Sequence, residues 1–97
     1  MPDPLDVPSV GTTFYRRWHK RAGAGRVRSA WIKHDVRAIV DLDREADGTI
    51  AGCQIVIRHW TTRRGWRYEV IDAFSFAYFE KAGHIVVGKK KPAALPS

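Results

Sequence analysis

The middle of the chain contains three segments in which apolar and polar residues alternate with a period of two. They span 36–43, 52–61 and 66–71. Alternate side chains of a strand point to opposite faces of its sheet, so this pattern predicts three β-strands with one buried face. The residues that share the predicted buried faces are Val36, Ala38, Val40, Leu42, Cys53, Ile55, Ile57, His59, Trp66, Tyr68 and Val70.

The first two of these strands are joined by Asp47-Gly48, a pair of residues typical of tight hairpins. A hairpin centred there places Val40 opposite Ile55 and pairs the other apolar positions in the same register. Cross-strand pairs of this kind stabilise a sheet, and here they bring the two apolar faces together. The pattern therefore predicts the register as well as the strands.

A second hairpin is predicted over 62–65, where Gly65 can adopt the positive φ that such turns require. Centring the hairpin there places His59 opposite Tyr68 and Trp60 opposite Arg67. We expect His59 and Tyr68 to pack as a hydrogen-bonded pair. The two hairpins together predict one three-stranded meander, in which a slip of one residue would turn the apolar side chains to the wrong face.

A short helix is predicted after the meander, over 72–83. Asp72 is suited to the N-cap, Gly83 to the position after the helix C-terminus, and Lys81 to the last turn. Ile71 and Phe76 have the spacing of a hydrophobic staple. The helix is expected to cover the end of the sheet, with a short last strand over 84–87 behind it. Three of its aromatic side chains are expected in the core: Phe74, Phe76 and Phe79.

The segment 10–18 fits two interpretations. Its β-branched and aromatic residues favour a strand by propensity. The spacing of Phe14, Trp18 and Ala22 also fits one face of a helix. The density of strand-forming residues favours the strand, and residues 19–33 are then expected to form a long basic connection.

This order of elements, a strand, a long loop, a meander, a short helix and a final strand, resembles that of the SH3-like small barrels. The resemblance covers about 10–88 and concerns topology alone. It implies a mainly β (α+β) fold, either a small SH3-like barrel or a strongly bent antiparallel sheet with one short helix before the last strand. Residues 1–9 are expected to be a flexible arm, and 89–97 a basic, Pro-containing disordered tail. SH3-like domains bind peptides, chromatin or RNA, so this fold does not select a function.

Charge is distributed unevenly along the chain, which has 97 residues and a formal net charge of +7. The whole excess lies between Arg16 and Arg37, where Asp35 is the only acid, because cations and acids balance in the rest of the chain. A concentration of positive charge attracts polyanions such as nucleic acid. The alternative interpretation is that the same charge only keeps the protein soluble and binds no specific ligand.

The sequence also predicts a compartment. It shows neither a signal peptide nor an apolar stretch near the ~20 residues of a membrane-spanning helix. We therefore expect a cytoplasmic protein that does not bind membranes. Cys53 is the single cysteine, so an internal disulfide is impossible.

The residues capable of catalysis or metal binding do not form a recognisable pattern. The four histidines are scattered singly, so no metal is expected. Cys53 and His59 share a strand face but lie about 20 Å apart along it, too far for a nucleophile and its base. The acidic residues at 41–47 are typical of a solvated loop, with a divalent-cation site as the alternative. We expect no cofactor and no enzyme activity.

The main functional prediction is a small basic nucleic-acid-binding or nucleic-acid-associated regulatory module. In the predicted register, Trp60 lies on the outer face of the meander among arginines, where it can stack on a base while they pair with phosphates. The basic segment before the meander supplies long-range attraction. The predicted binding residues are Arg16, Arg17, Lys20, Arg21, Arg26, Arg28, Arg37, Arg58, Trp60, Arg63, Arg64 and Arg67.

The alternative is an SH3-like protein–protein interaction module. Such a module binds an acidic partner or forms a homodimer through an exposed aromatic strand edge. A tight dimer that buries Trp60 and is insensitive to salt would favour this alternative.

Overall fold

The computed structural model of the chain describes residues 5–22 and 26–93, apart from the side chains of residues 19–28. These residues form five strands and one short helix, and the mainly β class is confirmed. The strands make one antiparallel sheet in the order β4-β3-β2-β1-β5. The elements are β1 (Thr13–Ala22), β2 (Arg26–Arg44), β3 (Ile50–Thr61), β4 (Gly65–Asp72), α1 (Ala73–Lys81) and β5 (Ile85–Val87).

The sheet is open, so the prediction of a closed barrel is wrong. β4 and β5 lie at its two edges, and over the described residues they do not pair with each other. The predicted meander of β2, β3 and β4 is confirmed, as is the position of the helix before the last strand. No helix in the described ranges is long and apolar enough to cross a membrane.

The predicted long connection over 19–33 is also wrong. β1 and β2 form a continuous antiparallel hairpin, from Thr13 opposite Asp35 to Ala22 opposite Arg26. Strand pairing satisfies the backbone N–H and C=O groups of this basic segment, which an irregular loop would leave to water. The pairing could not be predicted from the sequence, because this segment contains many charged residues and no regular apolar alternation. The strand interpretation of 10–18 is confirmed from Thr13 onwards.

The β2–β3 register differs from the prediction because β2 contains bulges. Asp43 lies opposite Gly52, as the predicted register requires, but a shift between Val40 and Asp43 places Ile39 opposite Ile55. A second shift, between Val36 and Ala38, places Val36 opposite Ile57. A bulge inserts an extra residue and reverses the alternation of faces beyond it. Asp41 has a φ of 53°, a left-handed conformation that aspartate tolerates better than most residues. As a result Ile39 packs against the core, whereas Val40 and Leu42, which were expected in it, are exposed.

The β3–β4 register is shifted by one residue from the prediction. Thr61 pairs with Gly65, which leaves a three-residue turn instead of four, and Gly65 has a φ of 69°. The Thr61 hydroxyl donates to the Gly65 carbonyl at 3.0 Å and accepts from the Arg64 amide at 3.1 Å, which stabilises this turn. The shift places Trp66 opposite Trp60. Trp66, Tyr68 and Val70, expected in the core, are therefore exposed on the other face.

The core occupies one face of the sheet, here called the inner face, and α1 packs against it. The largest fully buried side chains are Phe14, Phe76, Ile55, Ile57, Ile85 and Val36. The opposite face is called the outer face. The inner face continues beyond the core toward the β3–β4 turn, so grooves are present on both sides of the sheet.

The helix begins and ends as predicted. The Asp72 carboxylate accepts from the Phe74 amide at 3.0 Å, and Gly83 has a φ of 82°. The His84 amide then bonds to the Phe79 carbonyl at 2.8 Å, which completes a Schellman motif. Phe76 is buried and Phe79 is partly buried, but Phe74 is 57% exposed, so the prediction that it fills the core is wrong. A two-residue separation corresponds to about 200° around a helix, so Phe74 points away when Phe76 points inward.

Candidate nucleic-acid interface

The outer face carries a cluster of exposed aromatic side chains. Trp60 is 59% exposed, Trp66 45% and Tyr68 60%. The two indoles lie directly opposite each other on β3 and β4, edge to face with ring centroids 5.3 Å apart. Aromatic rings of this size are usually buried, since they dominate the energetics of cores and interfaces. Their exposure here creates a surface on which flat ligands can stack.

A groove of about 640 Å³ runs from this cluster across β3 to β2 and is here called the outer groove. Trp31 contributes a third indole, whose Nε1 donates to the Ala93 carbonyl at 3.3 Å. Three cationic side chains and one carboxylate also line this groove, which gives its charged lining an excess of positive charge. These charged residues are Lys33, Arg37, Arg58 and Asp35.

Asp35 holds both arginines of the outer groove in place. The Arg58 Nε lies 3.0 and 3.2 Å from the two carboxylate oxygens of Asp35, and an Arg37 terminal nitrogen lies 3.5 Å away. The Arg58 guanidinium also stacks on Trp66, 3.7 Å from the ring centroid. The hydrogen bond that Arg58 donates to Asp35 raises the pKa of Arg58 further above its usual value. The result is a pre-positioned cation against an indole.

A second groove, of about 560 Å³, lies on the inner face beyond the core and is here called the inner groove. Arg63 and Arg64 line it from the β3–β4 turn, and Arg67 lines it from β4. None of these three arginines forms an ion pair with a side chain that the structure describes. The expected position of Arg67 beside Trp60 on the outer face is therefore wrong, because the one-residue register shift turns it to the inner face.

Arg16, on β1, contacts Glu69, which lines the inner groove. Arg16 forms an ion pair with Glu69 on β4, and its guanidinium lies 5.7 Å from the ring centroid of Trp18. This contact spans from β1 to β4 across the inner face. Arg16 is thus paired within the chain and less available to a ligand than the arginines at 63, 64 and 67.

Two histidines lie between the core and the inner groove. His34 stacks on Phe14 with centroids 5.2 Å apart, and the His34 and His59 rings are 4.7 Å apart. The His34 Nδ1 lies 2.9 Å from the Ile32 carbonyl and donates to it. Burial lowers the pKa of both histidines from its usual value, which favours the neutral form of both rings. The expected His59–Tyr68 pair does not form, because Arg67 takes the position opposite His59.

The remaining reactive groups do not form a catalytic arrangement over the described part of the chain. Cys53 is buried in the core, and burial raises the pKa of its thiol. No cluster of three or more His, Cys, Asp or Glu side chains able to hold a metal is found among the described residues. The acidic residues at 41–47 are exposed at the β2–β3 turn.

The predicted binding residues are divided between the two faces. Arg37, Arg58 and Trp60 line the outer groove. Arg17 lies on the outer face of β1, and its guanidinium donates to Ser29 at 3.4 Å. The predicted residues at the inner groove are Arg16, Arg63, Arg64 and Arg67. The predicted residues whose side chains lie outside the described part are Lys20, Arg21, Arg26 and Arg28.

Sequence reasoning missed several residues of the outer groove. Trp31, Lys33 and Asp35 lie at alternate positions of β2, but they differ in polarity and therefore give no apolar alternation that would predict a strand there. Trp66 was assigned to the core, and only the shorter turn before it would have turned it outward.

No family model matches the chain, and no curated protein and no solved structure matches it either.

Proposed function

We propose that this protein binds single-stranded nucleic acid across the outer groove. Bases stack on Trp60 and Trp66, while Lys33, Arg37 and Arg58 pair with phosphates. The observation that carries the proposal is the pair of exposed, facing indoles beside three cations in one groove. Stacking platforms flanked by positive charge are the usual means of binding single strands without base-specific hydrogen bonds.

The arrangement favours single strands over duplexes. The bases of a duplex are stacked on each other and must be separated before a side chain can enter. Bases of a single strand are available to the exposed rings, and each base stacked on an aromatic ring contributes about 1–3 kcal/mol. In this proposal Arg58, which stacks on Trp66 and is held by Asp35, is the cation that pairs with the phosphate next to a stacked base.

The other basic groups act at longer range in this proposal. Arg63 and Arg64 lie at the β3–β4 turn, next to Thr61 and Thr62, which line the inner groove with them. A strand that leaves the outer groove at this turn meets these arginines, which form no ion pair with a side chain of the described residues. The basic β1–β2 hairpin adds to the field that attracts the ligand, since such attraction depends on summed charge.

The test is a fluorescence anisotropy titration of labelled oligo(dT), oligo(U) and a matched duplex, at about 50 to 300 mM salt. We expect the single strands to bind more tightly than the duplex. Three phosphate contacts predict a slope of log K against log salt of roughly −2 for single strands. Polyglutamate of the same length is the control for simple charge attraction or adventitious binding.

The variant that tests stacking is Trp60→Ala, with Phe74→Ala as its control. Phe74 is as exposed as Trp60 but lies on α1, away from the outer groove. We expect Trp60→Ala to weaken binding roughly 5- to 150-fold, the equivalent of about 1–3 kcal/mol. Equal effects of the two substitutions, no binding at low salt, or equal affinity of the duplex would each contradict the proposal.

A further inference from the structure

β4 forms one edge of the sheet and presents an unprotected side to solvent. Over the part of the chain that the structure describes, it pairs with β3 alone. Its other side offers backbone N–H and C=O groups along eight residues, Gly65–Asp72. Edge strands usually avoid pairing by means of bulges, proline, lysine or inward-pointing charges. β4 contains neither proline nor lysine, and its register with β3 is continuous. Its two charges on the inner face, Arg67 and Glu69, are of opposite sign and can pair with each other between copies.

When two copies of β4 lie side by side in antiparallel orientation, the side chains of one copy complement those of the other. We propose that a second copy of this chain pairs with β4 across a two-fold axis at Tyr68. In this register, Arg67 of each copy lies opposite Glu69 of the other on the inner face. On the outer face, Trp66 lies opposite Val70 and Tyr68 opposite its own copy. The two copies form one ten-stranded sheet.

Symmetry and charge together select this register. A two-fold axis perpendicular to the sheet keeps the inner faces of both copies on the same side. Residues directly opposite each other then point to the same face, which requires that the axis passes at a residue of β4 and not between two residues. An axis at Arg67 or at Glu69 places like charges opposite each other, which destabilises a sheet. An axis at Trp66 or at Val70 leaves part of β4 unpaired. An axis at Tyr68 pairs Gly65 through Ile71 and forms about six to eight backbone hydrogen bonds.

The side chains at this edge have the exposure that such an interface needs. Tyr68 and Val70 are 60% and 58% exposed, and pairing covers apolar surface along the outer face. Glu69 already forms an ion pair with Arg16 of its own chain. In the dimer its carboxylate lies between two guanidinium groups, one from each copy.

The first test measures the mass of the whole protein by sedimentation equilibrium at about 1 to 100 µM without nucleic acid. Because no nucleic acid is present, the result is independent of the proposed function. We expect a monomer–dimer equilibrium within this range. A chain that stays monomeric at the highest concentration overturns the proposal.

The second test uses charge reversal at the paired positions. Arg67→Glu and Glu69→Arg each place like charges opposite each other twice, and each is expected to raise the dimer dissociation constant about tenfold or more. Mixed in equal amounts, the two variants regain opposite charges at every pair, so we expect a heterodimer of about wild-type affinity. Glu80→Arg, the same charge change on α1, should leave the dimer unchanged. Circular dichroism checks that each variant is folded.

A chain carrying both Arg67→Glu and Glu69→Arg distinguishes this register from a general effect of charge, because its net charge equals that of the wild type. We expect this chain to dimerise with about wild-type affinity, since position 67 of one copy again faces the opposite charge at position 69 of the other. Single variants that dimerise as the wild type does, or a mixture that associates no better than its components, overturn the proposed pairing.

Discussion

Replacing Asp35 with asparagine tests how the outer groove is held together. Asp35 is the one carboxylate among the described residues that line this groove, and it binds both Arg58 and Arg37. Asparagine has nearly the same shape but lacks the negative charge. The substitution should therefore weaken the fold and strengthen the binding of an anionic ligand, two effects that rarely occur together.

The loss of stability follows from the contacts. The Asp35 and Arg58 side chains are 23% and 20% exposed, so their pairing is partly screened by water. A hydrogen bond to a charged group contributes about 1.5–3 kcal/mol, and asparagine retains one acceptor. We expect a loss of about 1 kcal/mol in the free energy of unfolding. For a domain of this size that corresponds to a decrease in Tm of roughly 4–8 °C.

The gain in affinity follows from Coulomb's law. A negative charge about 7 Å from a bound phosphate repels it by about 0.6 kcal/mol in water, and by more where the protein excludes water. Removing that charge should strengthen binding of a single strand about threefold or more at low salt. Because Arg37 and Arg58 already contact phosphates in this proposal, the slope of log K against log salt should stay at roughly −2.

The assays are thermal unfolding and the anisotropy titration, with Asp43→Asn as the control. Asp43 is exposed on the same strand, about 25 Å away, and forms no ion pair with a described residue. It undergoes the same change of charge outside the groove. Unchanged or weaker binding of Asp35→Asn, or an equal gain in Asp43→Asn, would refute the reasoning about the outer groove.

Three further predictions concern the fold. Asp72→Ala removes the helix N-cap and should lower the free energy of unfolding in urea by about 0.5–2 kcal/mol, an unchanged value arguing against the cap. Burial holds the pKa values of His34 and His59 below 6.5 in the folded state, so the unfolded chain binds more protons below that pH. Stability should be complete above about pH 6.5 and fall as the pH decreases, and a His34→Gln variant that retains the full pH dependence would contradict this. Cys53 is buried with a raised thiol pKa, so it should react with a thiol reagent only after unfolding, and rapid labelling under native conditions would show that the core is open.

Much of the local structure could be predicted because it depends on neighbouring residues. Asp72 and Gly83 act at the helix ends through contacts within one turn, and both were recognised. The meander followed from alternation and two turn signals. The strand registers of the meander could not be predicted in this way, because they depend on the bulge near Asp41 and on the length of the turn before Gly65.

The candidate site depended on these registers. A shift of one residue moved Arg67 to the inner face and brought Trp66 opposite Trp60, so the residues on each face changed. The basic hairpin was missed because its strands carry charged residues without an apolar alternation. Exposed Trp60 was predicted correctly, whereas the contact of Asp35 with Arg58 joins strands whose register could not be read from the sequence.

The most direct test of the account uses the four tryptophans as reporters. Each indole N–H gives one NMR signal, and the rings lie on different faces of the sheet. On titration with oligo(dT) at low salt, we expect the signals of Trp60 and Trp66 to shift and saturate together. We expect a smaller shift for Trp18, which lies on the inner face but lines a cavity together with Trp60. A shift confined to Trp18, or no saturable shift of Trp60 and Trp66, would contradict binding at the outer groove.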